Sequence, residues 1–122
     1  MEFVSFEIAQ KLKEKGFSLP SGEVIGKYDS DGVYHSQLYV DFTETMNSEE
    51  IIAPTISQVL KWLREEKRIE VNACWDNFDA KWIGYASEME KPDLVGYYTS
   101  IDYDSYEEAA IASINWTLDN LI

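Results

Sequence analysis

Apolar residues recur three and four positions apart in several stretches of the chain, which is the spacing of one face of an α-helix. The first stretch covers residues 5–15, where Ile8 and Leu12 share a face between a serine and a glycine. Serine is a favoured N-cap, and glycine often follows a helix because it adopts the left-handed conformation easily. The pattern predicts a helix that begins after Ser5 and ends before Gly16.

Two further helices are predicted by the same spacing. One begins at Thr55, directly after a proline that holds the preceding residue extended, and ends near Glu66. The other begins after Ser105, which forms a capping-box pair with Glu108. Both helices carry an apolar stripe that we expect to be core, formed by Ile56, Val59, Leu60, Leu63, Ile111, Ile114, Leu118 and Leu121.

Alternation of apolar and polar residues predicts strands in the remaining segments, separated by turn compositions such as Asp-Ser-Asp-Gly at residues 29–32. The strands cover residues 23–28, 33–40, 69–75, 81–87 and 94–101, and the polar residues 43–50 are expected to form a loop. Short connections favour antiparallel pairing of neighbours. The sequence therefore predicts a single α+β domain over residues 1–122, with helices packed on an antiparallel sheet in two layers and the order α-β-β-α-β-β-β-α.

The last two predicted strands carry aromatic residues on both faces. Successive side chains of a strand point to opposite faces, so Tyr97 and Tyr98 cannot both enter one core. Tyrosine and tryptophan anchor many protein interfaces, because they combine a large apolar area with a polar tip. We therefore expect an interaction surface here, unless the first hairpin or a second copy of the chain covers it. Its candidate residues are Trp82, Tyr85, Tyr97, Tyr98 and Tyr103.

The charge of the chain excludes several kinds of partner. Its 122 residues include 23 acidic and 10 basic side chains, which gives a formal net charge of −13. Nucleic-acid backbones and anionic membranes attract basic surfaces and repel such a chain. No direct nucleic-acid or membrane partner is expected. The opening residues lack a secretory signal pattern and no apolar run matches a membrane helix, so a cytoplasmic location is expected.

Residues with catalytic or metal-binding chemistry are sparse. His35 and Cys74 are the only residues of their kinds, and no nucleophile elbow or phosphate-binding glycine loop is present. The Asp-Ser-Asp-Gly segment does not fit an EF-hand loop, because Lys27 and Leu38 fall where oxygen ligands are required. The acids at 102–108 are already accounted for by helix capping. The sequence predicts no catalytic residue, no cofactor and no metal site.

Two segments carry a resemblance to a known group of proteins. They are Ile-Ala-Pro-Thr at 52–55 leading into Lys-Trp-Leu-Arg-Glu at 61–65, and Tyr-Asp-Ser-Tyr-Glu-Glu-Ala-Ala at 103–110. With Lys-Gly-Phe at 15–17, they resemble small uncharacterised proteins of gut anaerobic bacteria and their phages or mobile elements. The resemblance implies a compact α+β fold. It implies no activity, because the shared segments are helix starts and core stripes.

The leading functional hypothesis is a non-enzymatic, cytoplasmic protein-interaction domain, such as an accessory protein of a phage or mobile element. Its partner would be another protein, and a homodimer stays open. One alternative is a small-ligand-binding protein or an enzyme, with a pocket that joins His35 or the acids at 102–108 to tryptophans. Another is a nucleic-acid mimic, whose ordered surface carboxylates would copy the spacing of phosphates.

Overall fold

The chain divides by its internal contacts into two compact units, Met1–Thr55 and Ile56–Ile122. A computed structural model describes residues 2–36, 50–90, 97–98 and 103–122. In these residues the fold is α+β, with helices and two small antiparallel sheets, which confirms the predicted class. The expectation that residues 1–122 form a single domain stays a prediction.

Helix α1, Phe6–Glu14, opens the first unit. The Ser5 side chain accepts a hydrogen bond from the backbone N–H of Ile8, with 3.3 Å between Oγ and N, so the serine is the predicted N-cap. Gly16 has a φ of 85°, a left-handed conformation that a residue with a Cβ adopts only with strain. Ile8, Ala9 and Leu12 are buried, as the spacing predicted.

The sheet of the first unit has the strand order β2-β1-β3 and is antiparallel. Strand β1 is Gly26–Tyr28, β2 is Tyr34–Ser36 and β3 is Ile51–Ile52. Strand β1 begins later than predicted because Ser21–Glu23 form a 3-10 turn, with Glu23 N donating to Pro20 O. Strand β3 was not among the predicted strands. It pairs with a strand distant in sequence, which alternation cannot indicate.

The β1–β2 turn has the predicted chemistry. One carboxylate oxygen of Asp29 accepts the backbone N–H groups of Asp31 and Val33 at 2.9 and 3.0 Å. Gly32 supplies the left-handed residue of the turn, with a φ of 81°. Residues 37–40 of the predicted second strand and residues 43–49 of the predicted loop lie outside the described residues.

Helix α2, Ile56–Glu66, opens the second unit and ends where the sequence predicts. The long strands β4, Ile69–Asp76, and β5, Lys81–Glu88, then form an antiparallel hairpin. Strand β6, Tyr97–Tyr98, pairs with the other edge of β5, which gives the strand order β4-β5-β6. The other residues of the predicted strand 94–101 lie outside the described residues.

Helix α3, Tyr106–Asn120, follows β6, and the Ser105 side chain accepts the Glu108 backbone N–H at 3.1 Å, as the capping box predicted. At 15 residues it is the longest helix of the described part, where no helix is long and apolar enough to cross a membrane. Ile114 and Leu118 are buried as predicted, but Ile111 and Leu121 are only half-buried. Small side chains complete the buried face: Ala109, Ala110, Ser113 and Thr117.

The helices of the second unit pack on β4 and β5, and one side of that hairpin is buried. Val71 and Ala73 of β4 lie opposite Ala86 and Gly84 of β5, and all four residues are buried. The residues that alternate with them are exposed or half-buried. The hairpin therefore presents its small and apolar residues to the helices, in the register that a strand with one buried face requires.

Candidate functional site

The turn of the β4–β5 hairpin projects an aromatic residue into solvent. Residues 77–80 connect the strands, and one Asp76 carboxylate oxygen accepts the Phe78 backbone N–H at 2.9 Å. Ala80 has a φ of 53°, in the left-handed region, which lets the chain turn back into β5. The Phe78 residue is 98% exposed. The turn is held by its own hydrogen bond while its largest apolar side chain has no cover.

Behind the turn, aromatic rings lie edge to face in a row. Trp75 and Trp82 are directly opposite each other in the hairpin, with ring centroids 5.5 Å apart and planes at 68°. Trp82 in turn contacts Tyr106 of α3 at 5.6 Å and 83°. Trp75 is 49% exposed, whereas Trp82 and Tyr106 are half-buried. We call these residues, Trp75, Phe78, Trp82 and Tyr106, the hairpin-tip surface.

The segment before α3 is tied to the hairpin beside this row. Tyr103 and Trp82 exchange two backbone hydrogen bonds, of 2.8 Å from Tyr103 N and 2.9 Å from Trp82 N. The Lys81 ammonium forms an ion pair with Asp104. This hydrogen-bonded ion pair holds the pKa of the Asp104 carboxyl below its usual value. The first turn of α3 is thereby held next to the aromatic rings.

Of the predicted surface residues, Trp82 and Tyr103 meet at the hairpin tip, and Tyr85 does not. Tyr85 is three positions from Trp82 and so lies on the other face of β5, where its hydroxyl is 3.4 Å from a Glu70 carboxylate oxygen. Partial burial, and next the Glu70 charge, raise the pKa of Tyr85. The backbones of Tyr97 and Tyr98 pair with β5, and their side chains lie outside the described residues.

Three residues of the surface were not predicted: Trp75, Phe78 and Tyr106. Tyr106 is the first residue of α3, and the helix pattern indicates its element but not its contact with Trp82. Trp75 follows the alternation of Val71 and Ala73, and that pattern indicates the face of a strand but not how far the helices cover it. Phe78 lies in a tight turn, where a side chain has no core within reach. A large aromatic residue between two aspartates in a four-residue turn is therefore the signal that could have identified it.

His35 lies in β2, beside the turn of the first unit. Its Nε2 lies 2.9 Å from the second carboxylate oxygen of Asp29, and both side chains are partly exposed. This hydrogen bond, with that from Val33 N, lowers the pKa of Asp29. The contact braces the hairpin. Among the described residues, no group of three or more His, Cys, Asp or Glu side chains is placed to hold a metal ion.

The first unit also contains a shallow, mostly apolar cavity of about 170 Å³ beside α1 and β3. The ligand-binding alternative required a pocket that joins His35 or the acids at 102–108 to tryptophans. None of those residues lines this cavity, which therefore lends that alternative no support. Its lining residues are Ala9, Lys13, Phe17, Glu50, Ile51 and Ile52.

Comparison with protein-family models, curated proteins and solved structures finds no match to this chain. The resemblance to proteins of gut anaerobes and their mobile elements stays a prediction. Any statement about function therefore depends on the residues of the chain itself and on their arrangement.

Proposed function

We propose that this chain is a non-enzymatic protein-binding domain that contacts its partner through the hairpin-tip surface. The observation that carries the proposal is the exposure of two large aromatic residues three positions apart at the end of one hairpin, Phe78 at 98% and Trp75 at 49%. Buried aromatic side chains supply much of the free energy of protein interfaces. Contiguous exposed apolar residues are a common mark of an interaction site.

The surface is also preorganised for binding. The Asp76 hydrogen bond fixes the turn, the edge-to-face contacts fix Trp75 against Trp82, and the backbone pairing of Tyr103 fixes the start of α3. A partner that covers a fixed surface orders fewer side chains on association. The entropic cost of binding is smaller for that reason, and more of the buried area contributes to affinity.

The rest of the proposal concerns the context of the surface. The helices and the sheet would form two layers, which agrees with the burial of Val71, Ala73 and Ala86 on one side of the hairpin. A cytoplasmic location agrees with the sequence pattern. A role as an accessory protein of a phage or mobile element depends on the resemblance alone.

Affinity capture with a matched control tests the function. The tagged wild-type chain is compared with the double variant Trp75→Ser/Phe78→Ser in extracts of its source cells. The control is Val33→Ser, because Val33 is an exposed apolar residue of the first unit, at 53%. Wild type and control should retain one or more proteins that the double variant loses. Identical sets of captured proteins from all three chains, each shown to be folded by circular dichroism, would contradict the proposed surface.

A further inference from the structure

We propose that the partner of the hairpin-tip surface is a protein that presents a basic segment, with an arginine or lysine that stacks on Trp75. This inference rests on the proposed function and names the chemistry of its partner. It is carried by the acidic residues that neighbour the exposed aromatic residues in the hairpin and at the start of α3, which we describe next.

Acidic residues are concentrated in both elements that build the surface. Asp76 ends β4 and Asp79 follows Phe78 in the turn, and the start of α3 adds three further acids, Asp104, Glu107 and Glu108. The basic residue that lies among these acids is Lys81, and it forms an ion pair with Asp104. The surface therefore has a clear negative charge. Opposite potentials across an interface steer association and favour a basic partner over a neutral or acidic one.

The exposed tryptophan adds a specific reason for a cation. Tryptophan is the best aromatic acceptor of a cation–π contact, and the planar arginine side chain also stacks on it. The chain itself shows this geometry on α2, where the Lys67 ammonium lies 5.3 Å from the centre of the Trp62 ring. At the hairpin tip, the excess of acidic residues in the turn and at the start of α3 would also attract such a cation electrostatically.

The same charges disfavour the other occupants of the surface. Nucleic acids and anionic membranes carry the sign of charge that this surface repels. A second copy of the chain would bring the same carboxylates and a net charge of −13 to the interface. A basic protein segment is the occupant that satisfies both the aromatic rings and the acids around them.

The test uses synthetic peptides of equal length and equal leucine content, whose polar positions are arginine, glutamine or glutamate. Binding to the ¹⁵N-labelled chain of 122 residues is followed by NMR through the indole N–H signals of Trp75 and Trp82. We expect the arginine peptide to shift the Trp75 signal and, through its ring contact with Trp75, the Trp82 signal. The glutamate peptide should leave both signals unchanged. Added salt should weaken the binding of the arginine peptide, because salt screens exposed charges.

Charge and aromatic variants separate the two contributions. Asp76→Asn/Asp79→Asn removes two charges, while an asparagine at 76 can still accept the Phe78 N–H. This double variant should lower the affinity for the arginine peptide about three- to tenfold, as expected for two exposed ion pairs. Glu65→Gln/Glu66→Gln is the control, since it removes two exposed charges from α2 and should leave the affinity unchanged. Trp75→Ser/Phe78→Ser should abolish the shift of the Trp82 signal.

The outcomes of these experiments separate the basic partner from the proposed protein-binding function. If the glutamine or glutamate peptide binds the surface as tightly as the arginine peptide, the proposal of a basic partner is wrong. The proposal that the hairpin-tip surface binds a protein is then unaffected. Failure of the arginine peptide to bind, or equal losses in both charge variants, overturns the basic partner as well. A Trp75 signal that shifts with protein concentration alone would assign the surface to a second copy instead. The capture experiment decides the proposed function independently.

Discussion

The two units each contain a cluster of aromatic rings, and the clusters differ in how far their rings are exposed to solvent. In the first unit, neighbouring ring centroids are 4.9 to 6.0 Å apart, and Tyr28 is buried with its hydroxyl donating to the backbone oxygen of Val4. Its rings are Phe3, Phe6, Tyr28 and Tyr34. In the second unit, the row of rings ends in the half-exposed Trp75, and Phe78 in the adjoining turn is 98% exposed.

This difference shows why aromatic content alone does not identify an interaction site. In the first cluster, the polar tip of Tyr28 has a partner inside the unit, and burial raises the pKa of that hydroxyl. Phe3 and Phe6 of this cluster are half-buried, and its most exposed ring is that of Tyr34, at 37%. In the second cluster, Trp75 and Phe78 lie at the end of the hairpin and are exposed, so a large apolar area stays in water. The first cluster should therefore contribute to stability and the second to binding.

The largest expected effect is that of Tyr28→Ala in the first cluster. The substitution removes a buried ring, its edge-to-face contacts and the hydrogen bond to Val4, and it leaves a cavity. We expect a loss of about 3–5 kcal/mol in the free energy of unfolding, the usual range for truncating a buried aromatic residue. Urea unfolding followed by circular dichroism, with amide exchange of residues 26–36, measures it. A loss below about 0.5 kcal/mol would show that the first cluster is as dispensable for folding as an exposed surface.

A smaller effect is expected for Gly26→Ala, which adds a methyl group instead of removing a ring. The Tyr34 ring lies directly over Gly26, and a Cβ at this position would overlap its carbon and hydroxyl atoms. The ring must move, and overpacking of this kind costs about 1–3 kcal/mol. The Gly22→Ala control, where a Cβ meets no atom within 4 Å, should change unfolding much less. Equal effects of the two substitutions would mean that the ring does not pack on the strand.

The elements that could be predicted from the sequence are those with local causes. The two helix caps, Ser5 and Ser105, depend on hydrogen bonds to an N–H three residues later. Gly16 and Gly32 adopt the left-handed conformation, which glycine does without strain because it lacks a Cβ. The long hairpin follows from alternation and a short turn. In each case the interaction joins residues that are near in sequence, so the pattern contains the information.

The elements that could not be predicted depend on distant residues. Strand β3 has two residues, and it exists because Ile51 and Ile52 pair with β1, more than twenty residues earlier. The exposure of Trp75 depends on where the helix cover over the hairpin ends. Periodicity gives the face of a residue, whereas its burial depends on an element elsewhere in the chain. This explains why the predicted surface contained Trp82 and Tyr103 but not Trp75.

A change of pH tests the brace of the first hairpin and should have a smaller effect than either substitution. The hydrogen bonds from His35 and Val33 lower the pKa of Asp29 from its ordinary 3.8. A carboxyl with a lowered folded-state pKa stabilises the fold above its unfolded-state pKa, and this contribution is lost as the pH falls through the folded value. Wild type should therefore be more stable than Asp29→Asn at neutral pH, and the difference should shrink below pH 3.8.

Thermal unfolding of both chains across this pH range measures the effect. Asp31→Asn is the matched control, since Asp31 is an exposed acid of the same turn whose side chain is not part of the brace. This substitution removes one acid from the same turn and leaves the hydrogen bonds that Asp29 accepts from His35 and Val33 in place, so it controls for the loss of a charge alone. A difference between wild type and Asp29→Asn that stays constant into acid would show that the charge of Asp29 does not contribute to the brace.

The smallest expected effect on stability is that of Phe78→Ala, and it is the sharpest test of the comparison. The substitution removes an aromatic ring, as Tyr28→Ala does, but this ring is 98% exposed and the turn keeps its Asp76 hydrogen bond. Surface substitutions of this kind change the free energy of unfolding by less than about 0.5 kcal/mol. Urea unfolding of both variants under one set of conditions compares them directly. A loss near that of Tyr28→Ala would show that Phe78 is covered in solution and supports the fold. A loss near zero, with reduced partner binding, places its contribution at the interface, because an exposed ring gains apolar contact only when a partner covers it.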